Sequence, residues 1–387
     1  MTTLLISAGD ASGDLHAADF VRAFRSKVPD ARIVGMGGDA LRAADVELVV
    51  HQRELAVGGL LELVGSVFRI AKVWRAMKRA LIRERPDLVV LVDSGGFNIP
   101  FAKQVHRHCT AKVFYFVAPQ VWAWRPSRVK KIAARVDRVA VIFPFEIEAY
   151  QSTSLPVEFV GHPLAEALRT CADASDPGAA REQLEISGDD PLVALFPGSR
   201  RNEIDRHLPV QLDACAKLHA QSPALRFAVA VAPSVSAEQV EACIRAQNLP
   251  ASIHVQVVSG RSREVMRACH VAIAKPGTVT VELAMLARPM VVVGKVDPLT
   301  AWVLRRSVRV PYYAMPNLVA GRLIVPEVLQ EDATGPAVAA AVFEIMDGEA
   351  REQQLKDLAE VGQVLGTQGA AERASEIAGE MLGHASH

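Results

Sequence analysis

Short apolar runs alternate with longer helical patterns along the whole chain. Each run is rich in Val, Ile and Leu, and turn residues such as Gly, Asp or Pro follow it. Such runs are typical of parallel strands covered by helices on both faces. They lie at 4–7, 31–34, 88–92, 112–117 and 139–143, and again at 192–196, 226–232, 253–258, 271–274 and 290–293. The alternation predicts a doubly wound α/β fold with a parallel sheet that occurs twice.

The length of the chain predicts two domains. One ordinary α/β core does not accommodate 387 residues. A segment rich in Asp, Ser, Pro and Gly at 170–190 is typical of a linker. We therefore place one Rossmann-like domain at 1–168 and a second one at 169–354.

Charge and cysteine content argue against several function classes. The 43 Lys and Arg residues balance 43 Asp and Glu residues, so a nucleic-acid-binding protein that relies on a global positive field is not expected. Five cysteines are scattered without a C-x-x-C pair, which favours neither a disulfide framework nor a zinc site. No signal peptide and no run of about 20 apolar residues is visible, so we expect a cytoplasmic protein, soluble or peripheral, without metal or cofactor.

Two glycine turns in the second half predict a pyrophosphate site. Each turn follows an apolar run and precedes a helical pattern, where free backbone N–H groups bind phosphate oxygens. Arg200 can add a guanidinium to the anion, and Glu282, one turn into its helix, can accept hydrogen bonds from ribose hydroxyls. The predicted site consists of Gly198, Ser199, Arg200, Gly277, Thr278 and Glu282.

Two neighbouring segments extend this site to a whole nucleotide sugar. Ser259 and Gly260 end a further apolar run, where backbone groups could bracket a uracil ring. Asn317 and Gly321 lie in a Pro/Asn/Gly loop whose tight backbone and amide side chain could face the sugar or the phosphates. The second half therefore predicts a glycosyltransferase.

A polar glycine turn at 8–16 follows the first apolar run. Its small residues allow a ligand to approach closely, and its Asp and His side chains supply acceptors and a proton carrier. The alternative is a structural turn in which Asp14 caps its own helix. The candidates in this turn are Asp10, Ser12, Gly13, Asp14 and His16.

Polar and aromatic side chains follow three more runs of the first half. Asp93 lies at the carboxyl edge of the predicted sheet, as a general base or hydroxyl acceptor, or as a loop carboxylate that binds backbone amides. Trp and Arg side chains at 120–125 line a pocket or pack a domain seam. A lone His follows the apolar run 157–160, the last predicted strand of the first half, and is structural or functional with equal weight. The further candidates are Asn98, Gln120, Trp122, Arg125 and His162.

A glycine string at 35–40 reads G-x-G-x-x-A, which resembles a dinucleotide fingerprint. That fingerprint requires a carboxylate at the end of the next strand, about 20 residues on. Glu54 lies at a tolerable distance, but we expect no strand ahead of it. The string is therefore only a weak indication of NAD binding.

The segment 60–85 has an apolar face edged by Lys and Arg. An interfacial helix that faces anionic lipid requires such a pattern. The pattern alone favours the other interpretation, a crossover helix packed on the sheet with its cations in solvent. The candidates for membrane contact are Leu61, Val64, Phe68, Trp74 and Lys78.

Taken together, these strings resemble the lipid-A-disaccharide synthase family over essentially the whole chain. Their order and spacing are far more specific than any single glycine turn. The strings that carry the resemblance lie at 8–14, 93–98, 119–125, 159–163, 197–200, 277–282 and 316–322.

The resemblance implies an inverting glycosyltransferase of the GT-B type, with two Rossmann-like doubly wound parallel-sheet domains facing a cleft. The donor would be UDP-2,3-diacylglucosamine, bound by the second domain. The acceptor would be 2,3-diacylglucosamine 1-phosphate, bound by the first. The products would be the β-1,6-linked lipid A disaccharide 1-phosphate and UDP. By analogy with the fold, a helical tail at about 355–387 joins the first domain.

An acylated acceptor favours the membrane interpretation of the segment 60–85. At about 0.8 kcal/mol per buried methylene, acyl chains hold such a substrate in the bilayer. The enzyme must therefore reach its substrate there. We expect a peripheral protein on the cytoplasmic surface of the inner membrane.

Two positions depart from the family pattern. Many members carry a second carboxylate, the usual candidate base, where this chain has Gly96. Asp93 is then our first candidate base and Asp10 the second, ahead of Asp14 and His16. The other departure is Pro276, in place of the usual Ser, which lacks a hydroxyl and an N–H but is well tolerated at a helix start.

Two other functions stay open at this point. A UDP-sugar 2-epimerase shares the architecture, but it needs carboxylates around the sugar C2 and no lipid surface. A catalytically silent protein that binds lipid-linked sugars is compatible with the missing carboxylate at Gly96.

Overall fold

The apolar runs of the sequence form the strands of two parallel sheets. The computed structural model describes residues 1–55, 63–120, 127–165, 168, 177–186, 188, 190–297, 300–302, 310–366 and 369–383, with the backbone alone at 63–67. The chain divides into two units, one of Met1–Pro163 with Thr367–His387 and one of Leu164–Gly366. The chain passes from the first unit to the second after Pro163, close to the predicted boundary at 168.

Seven described strands form the sheet of the first unit, in the order β3-β2-β1-β4-β5-β6-β7, with every pair parallel. Val, Leu and Ile side chains on both faces are buried, as expected for a sheet covered by helices. The strands are β1 (Thr3–Ala8), β2 (Arg32–Gly37), β3 (Glu47–His51), β4 (Leu88–Val92), β5 (Lys112–Phe116), β6 (Arg138–Val141) and β7 (Val157–Phe159).

Helices cover both faces of this sheet. One face packs against the first, second and last helices, with Phe20, Phe24 and Ile377 in the core. The opposite face packs against the third to fifth helices, around Met77 and Phe101. The helices of this unit are α1 (Ala11–Lys27), α2 (Asp39–Ala43), α3 (Leu63–Glu84), α4 (Gly95–His108), α5 (Ser127–Ala133) and, at the end of the chain, α14 (Ala370–Leu382).

The second unit repeats the plan with six described strands in the order β10-β9-β8-β11-β12-β13, again parallel. Its strands are β8 (Leu192–Phe196), β9 (Arg226–Val231), β10 (Val255–Ser259), β11 (Val271–Ala274), β12 (Met290–Gly294) and β13 (Glu327–Leu329). Its helices are α6 (Pro177–Gln183), α7 (Arg201–Gln221), α8 (Ala237–Ala246), α9 (Ser262–Ala268), α10 (Thr278–Met285), α11 (Met315–Ala320), α12 (Gly335–Glu344) and α13 (Gly348–Gly366).

The strand order reverses once in each sheet, and these reversals position the candidate sites. β1 pairs with both β2 and β4, and β8 pairs with both β9 and β11. The register sets Ala8 opposite Val92, and Phe196 opposite Ala274. The turns that follow these strands are therefore neighbours at the carboxyl edge, where open α/β sheets bind ligands.

Two strands were not predicted, and one of them changes the interpretation of Glu54. β3 ends at His51, so a strand does precede the short 3-10 helix Gln52–Leu55 that contains this carboxylate. The glycine string also begins inside β2, where a Cβ on Gly35 would lie 1.9 Å from the Ile6 carbonyl oxygen. Gly35 therefore allows two strands to approach, and the string does not form a phosphate turn at this residue.

The chain returns to the first unit later than the predicted residue 355. Helix α13 belongs to the second unit, because Gln354 exchanges hydrogen bonds with both backbone groups of Met290, at 2.9 and 3.3 Å. Arg322 and Asp357 form a two-pronged ion pair at 2.8 and 2.9 Å in the same unit. Of the two last helices, α14 is the one that packs on α1. Among the described residues, no helix is both long and apolar enough to span a bilayer.

Candidate active site

The first candidate cluster lies where β1 and β4 end. Asp10 caps the N-terminus of α1 by accepting the Gly13 N–H at 2.7 Å. Its other carboxylate oxygen accepts the Ser94 hydroxyl at 2.8 Å. Asp10 is only partly buried. The structure therefore leaves a predicted carboxylate accessible at the edge of the sheet, and the bond from Ser94 holds it to the neighbouring turn.

Asp93 lies in a left-handed backbone conformation, with φ of 46°. Its carbonyl accepts the Tyr115 hydroxyl at 2.7 Å, which helps to hold this turn. Burial raises the pKa of the Asp93 carboxyl to about 6, and the nearby charge of Asp10 adds to the effect. The group is therefore ionised at neutral pH but more basic than an ordinary carboxylate, as a general base requires.

Asn98, predicted to bind substrate, is fully buried and binds the chain itself. Its amide nitrogen donates to the carbonyls of Ser7, Val92 and Asp93, at 3.2, 3.0 and 2.9 Å. Its oxygen accepts the Ser7 hydroxyl at 2.6 Å. Because these bonds occupy the side chain, Asn98 fixes the Asp93 turn.

Asp14 has a structural role that differs from the predicted one. The sequence left open whether it binds a ligand or caps its own helix, and the cap of that helix is Asp10 instead. Its carboxylate is buried and accepts the N–H groups of Gly38, Ala40 and Leu41, at 2.6, 3.0 and 3.3 Å. It therefore caps the next helix, α2, because those orphan donors need an acceptor.

Two histidines lie near this cluster and are held neutral. Burial lowers the pKa of His16, against the raising effect of Asp19 and Asp10. His16 Nε2 lies 3.3 Å from the Ser12 hydroxyl, which is exposed. His162 is buried with its ring 5.1 Å from that of Phe143, and burial, with the effect of His16, lowers its pKa to about 3. Neither side chain therefore supplies a cation at neutral pH.

The loop after β5 is described only in part. Gln120 is exposed, as a residue that contacts a ligand should be. Trp122 and Arg125 lie outside the described residues, as does Leu61 of the predicted membrane segment. The predictions for these three residues stay predictions.

The second candidate site is a cavity of about 740 Å³ in the second unit. Turns after β8, β9, β10 and β11 line it, so it lies at the carboxyl edge of the sheet where the strand order reverses. The structure brings together most of the residues that the sequence assigned to a nucleotide sugar. Those in the lining are Gly198, Ser199, Arg200, Gly260, Gly277, Thr278 and Glu282.

Two residues of this cavity, Glu203 and Lys275, carry no role in the sequence-based prediction. Glu203 Oε2 accepts the Ser199 N–H at 2.8 Å, and its Oε1 lies 3.1 Å from the Lys275 ammonium. Burial raises the pKa of Glu203, but the Ser199 N–H and Lys275 outweigh it and hold the pKa below its ordinary value. Lys275 thus supplies a cation that reaches the first glycine turn from the second.

Glu282 lines the same cavity. Its carboxylate is 3.6 Å from Arg263, and burial raises its pKa while Arg263 opposes the shift. A carboxylate held in this way can accept hydrogen bonds from a diol such as a ribose. Ser259 is exposed at the end of β10, next to Gly260.

The structure places Asn317 and Gly321 at a short helix, and their predicted contact with the donor stays a prediction. They belong to α11 and its cap, and Gly321 ends the helix in the left-handed region, with φ of 66°. Asn317 is fully buried, donates to Val325 and Glu327, and accepts from Ile324 and Val325, all at 2.8 to 2.9 Å. The helix therefore uses this amide to hold the entry to β13.

Helix α3 packs one face on the core and exposes another, so core packing applies to part of it and membrane contact stays a prediction for the exposed part. Val73 and Met77 are buried against the sheet, and the Trp74 ring packs edge-on against Phe97 and Phe101. Trp74 therefore faces the core, against the prediction. Phe68 is 72% exposed, Lys78 is half-buried, and the side chain of Val64 is not described.

Comparison with known proteins identifies the family. The sequence profile of the family described as lipid-A-disaccharide synthetase matches residues 4–381. The chain belongs to this family. It is 39% identical over 385 residues to a lipid-A-disaccharide synthase of Geobacter sulfurreducens, covering 98% of this chain and 97% of the relative. The synthase of Pseudomonas syringae pv. tomato is 38% identical over 349 residues, with 90% of each chain covered. The predicted family and enzyme class are confirmed.

Solved structures share the fold at low sequence identity. The S. aureus MnaA–UDP co-structure superposes with a TM-score of 0.68 at 12% identity, covering 100% of this chain and 98% of that one. MurG of Acinetobacter baumannii gives 0.60 at 13% identity, with coverage of 97% and 98%. These similarities confirm the predicted GT-B fold class of two doubly wound parallel-sheet domains.

Proposed function

We propose that the chain transfers 2,3-diacylglucosamine from UDP to the 6-hydroxyl of 2,3-diacylglucosamine 1-phosphate, with inversion at the anomeric carbon. The single observation that carries this proposal is the cavity of the second unit. Two glycine turns meet there beside Arg200 and Lys275, and a ribose acceptor, Glu282, lies on the same wall. This combination fits a nucleoside diphosphate that leaves with the electron pair of a broken glycosidic bond.

The carboxylate of Asp93 supports a base in the first unit. In the proposed step it takes the proton of the acceptor hydroxyl as the oxygen attacks the anomeric carbon. The bond between that carbon and the UDP oxygen breaks, and UDP takes the electron pair. A base of pKa about 6 is suited to this transfer near neutral pH.

The outer side of α3 supports docking at a membrane surface. Phe68 and Ile82 are 72% and 47% exposed, and the exposed cations Arg75 and Arg79 accompany them on the same helix. Apolar groups beside cations suit the boundary of an anionic bilayer. We therefore place the protein at the cytoplasmic surface of the inner membrane, where acylated substrates reside.

One assay tests the reaction. Purified protein is incubated with UDP-2,3-diacylglucosamine and 2,3-diacylglucosamine 1-phosphate in detergent micelles, and UDP and disaccharide are quantified. We expect one UDP per disaccharide and a β-1,6 linkage by NMR. Binding of both substrates without turnover would instead identify a silent binding protein.

A second candidate, UDP-sugar 2-epimerase, is favoured by the fold alone. UDP-GlcNAc 2-epimerase from Neisseria meningitidis superposes with a TM-score of 0.63 at 13% identity, covering 99% of each chain. The same assay separates the two functions, because an epimerase changes the donor at C2 without an acceptor. Family membership over nearly the whole chain favours transfer.

A further inference from the structure

A carboxylate of the chain itself occupies the first glycine turn of the cavity. Glu203 is the third residue of α7, and one of its oxygens accepts the Ser199 N–H at 2.8 Å. The other oxygen lies 3.1 Å from Lys275 Nζ and 3.3 Å from the Arg200 guanidinium. One backbone donor and two cations thus converge on this carboxylate, and these are the groups that a phosphate would use.

Gly198 permits this arrangement. Its φ of 134° is unfavourable for any residue with a side chain. A Cβ at this position would lie 2.5 Å from Glu203 Oε2 and 2.6 Å from Glu203 Cβ. The glycine of the turn is therefore needed for the approach of the carboxylate, in addition to any ligand.

The charges of the cavity make the carboxylate a direct competitor of an anion. Four cations and three carboxylates line it, and Arg200 and Lys275 share Glu203, so most of the positive charge is opposed. The closest nitrogen–oxygen distances are 3.1 Å for Lys275 and Glu203, 3.6 Å for Arg263 and Glu282, and 3.9 Å for Arg267 and Glu264. The side chain of Glu203 is only 14% exposed, so water screens its charge weakly.

We propose that Glu203 is an internal anion that holds the phosphate turn and Lys275 until the donor binds, and that the pyrophosphate then displaces its carboxylate. This inference rests on the proposed donor site. On displacement, the Ser199 N–H and the Lys275 ammonium transfer from Glu203 to phosphate oxygens. These donors therefore have a hydrogen-bond acceptor in both states. Because the pyrophosphate must displace the carboxylate, its apparent affinity is lower than it would be without Glu203.

Calorimetric titration of the full chain with UDP tests this exchange. Glu203→Gln keeps the shape of the side chain and its acceptor oxygen but removes the charge. We expect it to bind UDP roughly ten-fold more tightly than the unaltered protein, because a like charge next to the phosphates is gone. Uridine, which lacks phosphates, should bind both proteins equally.

Glu264→Gln is the matched control. It removes the same charge from the same cavity, at a carboxylate of helix α9 that lies 3.9 Å from Arg267. We expect less than a two-fold change in the Kd of UDP. An equal gain from both variants would overturn the specific role of Glu203, since the effect would then reflect the total charge of the cavity.

Thermal denaturation provides a second, independent readout. Glu203→Gln should lower the melting temperature without UDP, because the link to Lys275 is weakened, and should increase the rise in melting temperature that UDP produces. A fixed structural brace would instead weaken UDP binding and reduce that rise, which would overturn the proposal. If the unaltered protein does not bind UDP, the proposed donor site itself is wrong.

Discussion

The Ser94 hydroxyl donates a 2.8 Å hydrogen bond to the Asp10 carboxylate, although 84 positions separate the two residues in the chain. The bond joins the turns that follow β1 and β4, and it keeps Asp10 close to Asp93. A Cβ on Gly9 would lie 2.6 Å from the Ser94 hydroxyl oxygen. Burial raises the pKa of Asp93 and the nearby charge of Asp10 adds to it, so the small residue at Gly9 is a condition for this second effect.

The substitution Asp93→Asn is expected to reduce kcat at least 100-fold, because an amide cannot accept the proton. It should also raise the stability at pH 7.5. The folded pKa of about 6 exceeds the ordinary value of 3.8, so ionisation of Asp93 costs up to about 3 kcal/mol above pH 6. Asn also tolerates the left-handed backbone of this position. Turnover assays and denaturant titrations check both effects; turnover close to normal would exclude Asp93 as the base.

The pH dependence of kcat/KM should report the same group. We expect kcat/KM to fall about ten-fold per pH unit below pH 6, as Asp93 becomes protonated. Asp10→Asn removes the like charge, so it should lower the pKa of Asp93 and move this limb to lower pH. Asn is also a good N-cap, which preserves α1.

Asp19→Asn is the control for this profile, because Asp19 raises the pKa of His16. The limb should stay in place in this variant. A limb that moves in Asp19→Asn would assign the titration to His16. Asp10→Asn alone does not separate the two groups, because Asp10 raises the pKa of both His16 and Asp93.

A carboxylate can be introduced at Gly96, the position where the sequence analysis expects one from the family pattern. A Cβ at Gly96 has no atom within 4 Å, and an acidic residue in the first turn of α4 is favourable. We expect Gly96→Asp, added to Asp93→Asn, to recover at least ten-fold of the lost turnover. Gly95→Asp is the control, since its Cβ would lie 2.8 Å from Pro119; that variant should lose stability and rescue nothing. If the double variant folds well but turnover does not recover, a carboxylate at position 96 cannot replace Asp93 as the proton acceptor.

Two aromatic residues of α3 should respond differently to substitution. Phe68→Ser is expected to reduce binding to vesicles of phosphatidylglycerol and phosphatidylethanolamine several-fold at an unchanged melting temperature, since Phe68 is 72% exposed. Trp74→Ala should cost about 2 to 3 kcal/mol of stability, because the ring packs on Phe97 and Phe101. Sedimentation with vesicles and thermal denaturation distinguish these outcomes. Equal vesicle binding by Phe68→Ser would remove this face from the membrane contact.

Strands with continuous apolar sequences were predictable, and the edge strands β3 and β13 were not. β4 and β8 match the predicted runs 88–92 and 192–196 to the residue, because five consecutive apolar side chains are buried on both faces. β3 begins with Glu47 and ends with His51, and β13 has three residues. Such edge strands bury little apolar surface, so their sequences carry a weak signal.

Residue type alone did not reveal where short polar side chains point. Asp14, Asn98 and Asn317 are as polar as ligand-binding residues, but each binds backbone groups of the chain. The choice depends on which orphan backbone donors lie nearby after folding, which residue type does not encode. Glu203 did carry a signal, because an acidic residue three positions after a helix cap has the spacing of a capping box.

Helix α14 supplies Ala374, Ile377 and Met381 to the apolar core beneath α1, far from the rest of that core in the sequence. During synthesis on the ribosome, α1 therefore emerges long before its covering helix. The apolar face beneath α1 therefore stays uncovered until the whole second unit has been translated. Nascent chains stalled before residue 370 should consequently recruit holdase chaperones, and a stop codon in α14 should lower the cellular abundance of the enzyme.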